Sequence, residues 1–381
     1  MSHSAAHSCP PVRSGGGTCT PSTDPGGESE RLMRLEHHYS PKLFERGAVI
    51  FSFDTEQIWG YFDRLNESQF ENRYPGALKA HEKLLSCLSA TGISATWFVV
   101  GGMSLHGSEG ADDVRMAALP RRWTSRIPPG TEATAPLWYR RSFVDCLRES
   151  KPFQEIGLHG GLTHFIWTDS LATREVVARE LSEGVKALEQ ALVRPLSFSF
   201  GREQEAHHSL LAAHGIRSYR GRTPVLACRL GRTLPGALLR VWDELLRVTP
   251  PPVWPQETYR GLWNIPSSLF LYPIGASRTK IVALRSRFER FRRGLEAAVR
   301  YGGIFHFCLH PENLAESSYG FAMFEDILEL VTQFRDRGDV EILTMGQVAT
   351  RMQCAREETV GDRVINLSGD AIAEMARSVS R

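Results

Sequence analysis

With 381 residues and 45 basic against 43 acidic side chains, a formal net charge of +2, the chain has no overall field that would gather nucleic acid or an acidic membrane, so a charged partner must be recognised locally. The length suits a single α/β barrel with insertions, since such barrels routinely exceed ~200 residues. Seven cysteines, none in a CxxC pair and odd in number, read as reduced thiols of a cytoplasmic protein rather than a disulfide framework.

Residues 1–31 are rich in Ser, Gly, Pro and Thr with almost no large apolar side chain. Such a segment cannot bury enough surface to offset its ordering entropy and is predicted to be a disordered tail. It lacks the ~7–15-residue apolar stretch of a secretory signal, and no later segment reaches the ~18 apolar residues of a membrane span. The folded domain is predicted over 43–352, followed by a C-terminal tail, 353–381.

Within that domain, Ala48-Val49-Ile50-Phe51-Ser52-Phe53 is a short apolar, β-favouring run that stops at charge, which predicts a buried strand. Ala77, His81, Leu84, Leu85 and Leu88 then recur at helical spacing up to a stop at Gly92. Further strands are predicted at 95–100, 155–158, 196–200, 218–220, 304–309 and 340–343, with helices over 170–192, 204–214, 284–300 and 321–337. Short apolar strands alternating with helices imply a parallel sheet covered on its outside. Polar residues recur where these strands end, and that favours a barrel with a shared site at its C-terminal mouth over an open sheet. Two long stretches, about 101–150 and 222–280, interrupt the alternation and are expected to be insertions, the second covering the mouth or forming a subunit interface.

Four segments carry candidate chemistry. Phe51-Ser52-Phe53-Asp54-Thr55-Glu56 ends a strand in two carboxylates, one able to bind a metal and the other to accept a proton from bound water; the plainer alternative is a helix cap. Glu155-Ile156-Gly157-Leu158-His159-Gly160-Gly161-Leu162-Thr163-His164 puts two imidazoles just past a strand end, and its Gly-Gly pair is expected to form a turn that lets His159 and His164 converge on one ion. Ser199-Phe200-Gly201-Arg202 offers a cation to orient the aspartate or bind a substrate oxygen. Phe305-His306-Phe307-Cys308-Leu309-His310-Pro311-Glu312 places His310 at a late strand end, where it can protonate a leaving amine, while His306 reads as a buried, hydrogen-bonded barrel residue. The arginine-rich stretch 285–300 reads as a solvated outer helix, with a phosphate-bearing substrate as the alternative.

Taken in order, SFDTE, EIGLHGGLTHF, SFSFGREQ and HFCLHPENL resemble the motifs of the polysaccharide deacetylases, carbohydrate esterase family 4, over about residues 47–350. The resemblance implies a distorted (β/α)7-type barrel, a divalent metal that is commonly Zn2+, and hydrolysis of an acyl group from an N-acylated amino sugar. By motif it implies Asp54 as general base, His159 and His164 as metal ligands and His310 as general acid, with Arg202 in the arginine-bearing segment. Two departures stand out. The family's second aspartate is Thr55 here, so the third ligand falls to Glu56, and the histidine pair is one residue wider than usual. They point to a divergent branch acting on a small-molecule or glycoconjugate intermediate, with no nucleic-acid partner. The rival expectations are hydrolysis of a non-sugar amide such as a ureide or cyclic imide, and a non-catalytic binding protein with a decayed metal site.

Overall fold

Strand β1 (Gly47–Thr55) is buried at every position and lies in the interior of a ten-stranded sheet, with neighbours on both sides. The computed structural model describes residue 44 and residues 46–225, 233–273, 282–315 and 317–357. The predicted tail 1–31, and the C-terminal residues beyond 357, lie outside the described residues.

From β1 the chain steps through β2 (Thr96–Val99), β5 (Glu155–His159), β6 (Ser197–Ser199) and β7 (Ser218–Arg220), each parallel to its predecessor. Helices on the outside make the crossovers: α2 (Ala77–Thr91), which ends at Gly92 in the left-handed region, α4 (Arg141–Glu149), α5 (Arg174–Gln190) and α6 (His208–Ala213). A two-stranded hairpin, β3 (Gly107–Ser108) with β4 (Gly130–Thr131), and two short helices, α1 (Glu67–Arg73) and α3 (Arg121–Thr124), fill the connections before α4.

The stretch 222–280 is more than an insertion. After α7 (Leu234–Leu245) and the edge strand β8 (Gln256–Tyr259), it supplies β9 (Leu262–Asn264), parallel to β7, and β10 (Leu269–Leu271), parallel to β11 (Ile304–Leu309). The residues between β9 and β10 bridge both sides: Ser267 donates its N–H to the Gly221 carbonyl and Ser268 to that of His306. Residues 262–271 therefore act as one bent strand that changes partner, and with β11 beside β1 seven parallel strands run round the curve. This is the distorted seven-stranded barrel anticipated from the sequence, with one strand reassigned. The predicted strand at 340–343 is β12 (Val340–Ile342), which pairs only with the first three residues of β1. Residues 262–271 escape a periodicity reading because Pro266 and two serines interrupt them.

The phenylalanines of β1 face outward, under helices α8 (Leu284–Tyr301) and α9 (Ser318–Asp336): Phe51 packs against Phe291 and Phe324. The opposite face carries Ser52 and Asp54, as the period of two requires, and on the same side of the sheet the Ser197 hydroxyl hydrogen-bonds to both Glu155 and Ser218. Core hydrophobicity thus lies between sheet and helices, and the inward face is left for polar chemistry. A final helix runs over 345–357, past the expected domain limit at 352. Among the described residues no helix is long and apolar enough to cross a membrane.

Candidate metal centre and active site

Asp54, His159, Ser199 and Arg220 occupy the ends of β1, β5, β6 and β7, and Glu56 and His310 each follow one residue beyond a strand end. All six therefore gather at the C-terminal mouth, where the strand termini of a parallel barrel converge.

His159 Nδ1 lies 3.0 Å from the Ser199 carbonyl oxygen, which only accepts, so Nδ1 carries the proton and Nε2 presents a bare lone pair. That Nε2 is 2.8 Å from Glu56 Oε2 and 3.1 Å from His164 Nε2, and His164 Nε2 is 2.9 Å from the same oxygen. Two imidazole nitrogens and a carboxylate oxygen, all buried, converge on one point, an arrangement that a cation satisfies when both rings are neutral. Small divalent ions bind imidazole and carboxylate at about 2.0–2.2 Å, and the triangle has the size such bonds span. Gly160 turns the chain with φ +73°, a backbone region that L side chains rarely adopt. Gly60 makes room for the acid, since a Cβ there would sit 2.0 Å from Glu56 Oε1.

Beneath the loop, Glu180 of α5 accepts from the backbone N–H and hydroxyl of Thr163, each at 2.8 Å. Burial pushes its carboxyl up from an ordinary 4.5 to about 7, against the pull of the Thr163 hydrogen bonds. A carboxyl whose pKa is raised on folding contributes stability fully present below its unfolded pKa, and loses it as pH rises through the folded value. Glu180→Gln keeps the acceptor without the charge. Its unfolding free energy should exceed that of the wild type by about 1–3 kcal/mol at pH 8, and the advantage should vanish near pH 4. Urea titrations at the two pH values measure this, and a pH-independent difference would show that Glu180 does not ionise across that window.

Asp54 is held by Arg220, whose Nη2 lies 2.7 and 2.6 Å from its two oxygens. Burial alone would raise this carboxyl, but the guanidinium outweighs it and keeps Asp54 well below the usual carboxylate range, hence ionised. Arg220 is itself braced: Nη2 donates to Ser199 Oγ at 3.0 Å, and Nη1 to Ser52 Oγ at 3.1 Å. Ser52 in turn lies 2.8 Å from His306 Nε2, and His306 Nδ1 donates to the Pro266 carbonyl at 3.0 Å. His306 is fully buried, and burial pushes its pKa down to about 3. It is a neutral link in this relay, as its strand position suggested.

His310 stands opposite, with Nε2 3.4 Å from Asp54 Oδ2 and Nδ1 3.1 Å from Glu56 Oε1. The Tyr61 hydroxyl and Glu312 Oε1 lie 3.2 and 3.6 Å from the same Nδ1. Burial works to lower its pKa, but Glu56, Asp54 and Glu312 together hold the imidazole well above its ordinary value, so it carries a proton. Its side chain is 19% exposed against 2–7% for Asp54, Glu56, His159 and His164, which makes it the most accessible of the five.

No protein-family profile matches the chain, and neither does any curated protein. Among solved structures it is similar to a protein from Mycobacterium smegmatis assigned as a polysaccharide deacetylase, with a TM-score of 0.54 at 18% identity over 81% of this chain and 91% of that one. The chain has the fold of that deacetylase. Weaker likenesses are to the α-amylase AmyC from Thermotoga maritima, with a TM-score of 0.49 at 11% identity over 80% of this chain and 74% of that one, and to the peptidoglycan deacetylase PdaC from Bacillus subtilis, with a TM-score of 0.38 at 11% identity over 85% of this chain and 99% of that one.

On this deacetylase-like barrel, five of the six residues singled out from the sequence meet: Asp54, Glu56, His159, His164 and His310. Arg202 does not reach Asp54. It adopts a left-handed conformation, φ +54°, and its guanidinium pairs with Asp63. The place beside the aspartate belongs to Arg220, which ends a strand identified from the sequence and was overlooked because Ser218-Tyr219-Arg220 contains no motif. Glu312 was missed too, although it lies only two residues past His310. It is fully buried, and neither of its oxygens has a described hydrogen-bond partner.

Proposed function

We propose that this protein is a metal-dependent deacetylase, a divergent polysaccharide-deacetylase relative that removes an acetyl or other acyl group from an N-acylated amino sugar or related biosynthetic intermediate in the cytoplasm. The observation that carries the reading is the buried Glu56–His159–His164 triangle beside an ionised, arginine-held Asp54 and a protonated His310. The decayed-site alternative drew on the absent second aspartate; Glu56, within 2.9 Å of both histidines, supports an intact ligand set.

Glu56, His159 and His164 would hold the ion, Zn2+ in this reading. When bound, it supplies Lewis acidity to the substrate carbonyl and acidifies an attacking water. Asp54 accepts the proton of that water, and Arg220, bonded to both of its oxygens, holds the carboxylate in place and ionised. His310 delivers its proton to the amine as the C–N bond breaks, since an amine is too basic to leave as an anion. The products are a free amine and a carboxylate.

The test is incubation of Zn2+-loaded protein with a panel of N-acylated amino sugars and non-sugar amides, following released acid. Turnover confined to cyclic imides or ureides would sink the sugar assignment, and no turnover with stoichiometric metal would sink the enzyme. The role of His310 is separable. His310→Ala should lose about 10²–10⁴-fold in kcat/KM on an amide, but far less on an activated ester that leaves without a proton. Equal losses on both substrates, or metal lost with the imidazole, would assign His310 to substrate or metal binding instead.

A further inference from the structure

Glu312 is the one buried acid at the mouth that no step described so far uses. It is 0% exposed and opens the short helical turn Glu312–Ala315, which is pinned where its next residue, Asn313, donates from Nδ2 to the Leu271 carbonyl at 2.9 Å. Neither of its oxygens accepts a described hydrogen bond, and its one described ion pair is with His310, whose Nδ1 lies 3.6 Å from Oε1. A buried carboxylate left this bare is costly unless a cation or a proton meets it.

The atoms around it supply the rest of a ligand set. His310 Nδ1 is 3.1 Å from Glu56 Oε1, and the Tyr61 hydroxyl stands 3.2 Å from the same nitrogen. Two atoms bound to one ion at about 2.0–2.2 Å stand about 3–3.6 Å apart at ordinary bond angles, and both carboxylate contacts of Nδ1 fall in that range. One imidazole and two carboxylates suit Zn2+ or another first-row divalent ion. Glu56 has an oxygen for each side: Oε2 faces His159 and His164, and Oε1 faces His310. Paired ions in two-metal sites stand about 3.5–4 Å apart, a separation that one shared carboxylate spans.

We propose that Glu56, His310 and Glu312 form a second divalent-cation site, bridged by Glu56 to the ion held by His159 and His164. The inference rests on the metal-dependent deacetylase reading and adds a regulation to it, because ion and proton compete for one atom. An ion at this site takes the Nδ1 lone pair and releases the Nδ1 proton to solvent. The Nε2 proton that remains belongs to a neutral ring, far too weak an acid to serve a leaving amine. The first ion repels the second, so the second binds more weakly, and metal in excess switches turnover off.

The experiment is equilibrium dialysis of the full chain over a range of free Zn2+, counting bound ions per chain, with turnover read on the same samples. Two ions should bind, one retained on transfer to ion-free buffer and one lost. Turnover should fall by about 10²-fold or more as the second fills, the scale of general acid catalysis. Glu312→Gln, nearly unchanged in size, and His310→Ala should each keep the first ion and lose the second, and retention of the first shows that each variant is folded. The comparison of amide and ester in His310→Ala therefore belongs at one ion per chain. The ion count needs no substrate, so it separates a failure here from a failure of the deacetylase reading. A single ion in the wild type at saturation, or a second ion that both variants keep, would overturn the second site and leave the first standing. No bound ion would overturn both, and two ions with undiminished turnover would overturn the competition with the proton.

Discussion

His159→Ala and His164→Ala are each expected to lose metal and to lower turnover by about 10³-fold or more while the fold persists, because each removes one of three converging acceptors and an ion's contribution to such chemistry is several kcal/mol. The carboxylates should divide the work. Glu56→Gln should weaken metal affinity, since its Oε2 is shared between the two histidines at 2.8 and 2.9 Å. Asp54→Asn should abolish turnover with metal retained, since its carboxylate faces Arg220 and His310. Zinc analysis after dialysis, with kinetics on the same preparations, reads both. Loss of metal from Asp54→Asn but not from Glu56→Gln would exchange the two roles, and near-stoichiometric zinc in both histidine variants would remove the centre altogether.

Arg220→Met should be the most destabilising of the conservative changes at the mouth, costing about 3–5 kcal/mol at neutral pH. It leaves Asp54 charged and buried without its partner, and breaking one side of such a pair is far more costly than replacing both. Adding Asp54→Asn to it should recover much of that loss, a non-additivity that a double-mutant cycle measures. The sign with pH is fixed by the lowered pKa of Asp54. Stability from this pair is present above the ordinary aspartate value of 3.8 and is lost as pH falls, so the penalty of Arg220→Met should shrink as the orphaned carboxyl protonates. Additive effects in the double variant, or a penalty that does not change with pH, would mean that the pair acts independently of its burial.

The barrel was legible because β1, β2, β5 and β11 are short, mostly apolar runs, a pattern that parallel strands buried on both faces impose. The bent strand 262–271 was not, because its bend requires Pro266 and serines whose backbone groups serve two neighbours, and these residues mimic a loop. At the site, short motifs at strand ends located Asp54, Glu56, His159, His164 and His310. Arg202 illustrates where that reading stops. Sequence places a cation near a strand end, but which of two strand-end arginines reaches the aspartate depends on backbone direction after the strand, and at Arg202 the left-handed turn sends the guanidinium to Asp63. Glu312 and Tyr61 become visible only once the fold lays them against His310.

The interior position of β1 has a consequence for synthesis. Its neighbours on either side are β2, about forty residues later, and β11, more than two hundred and fifty residues later in pairs such as Ala48 with Ile304. During translation Glu56, His159 and His164 emerge from the ribosome well before β11 and β12, so the nascent chain holds the proposed metal ligands on a sheet in which β1 still has an open edge. Sheets closed by such distant pairings form slowly, and unpaired edges invite association. His310 arrives just past the strand that covers that edge, and so the proposed proton donor joins the constellation at the step that completes the barrel.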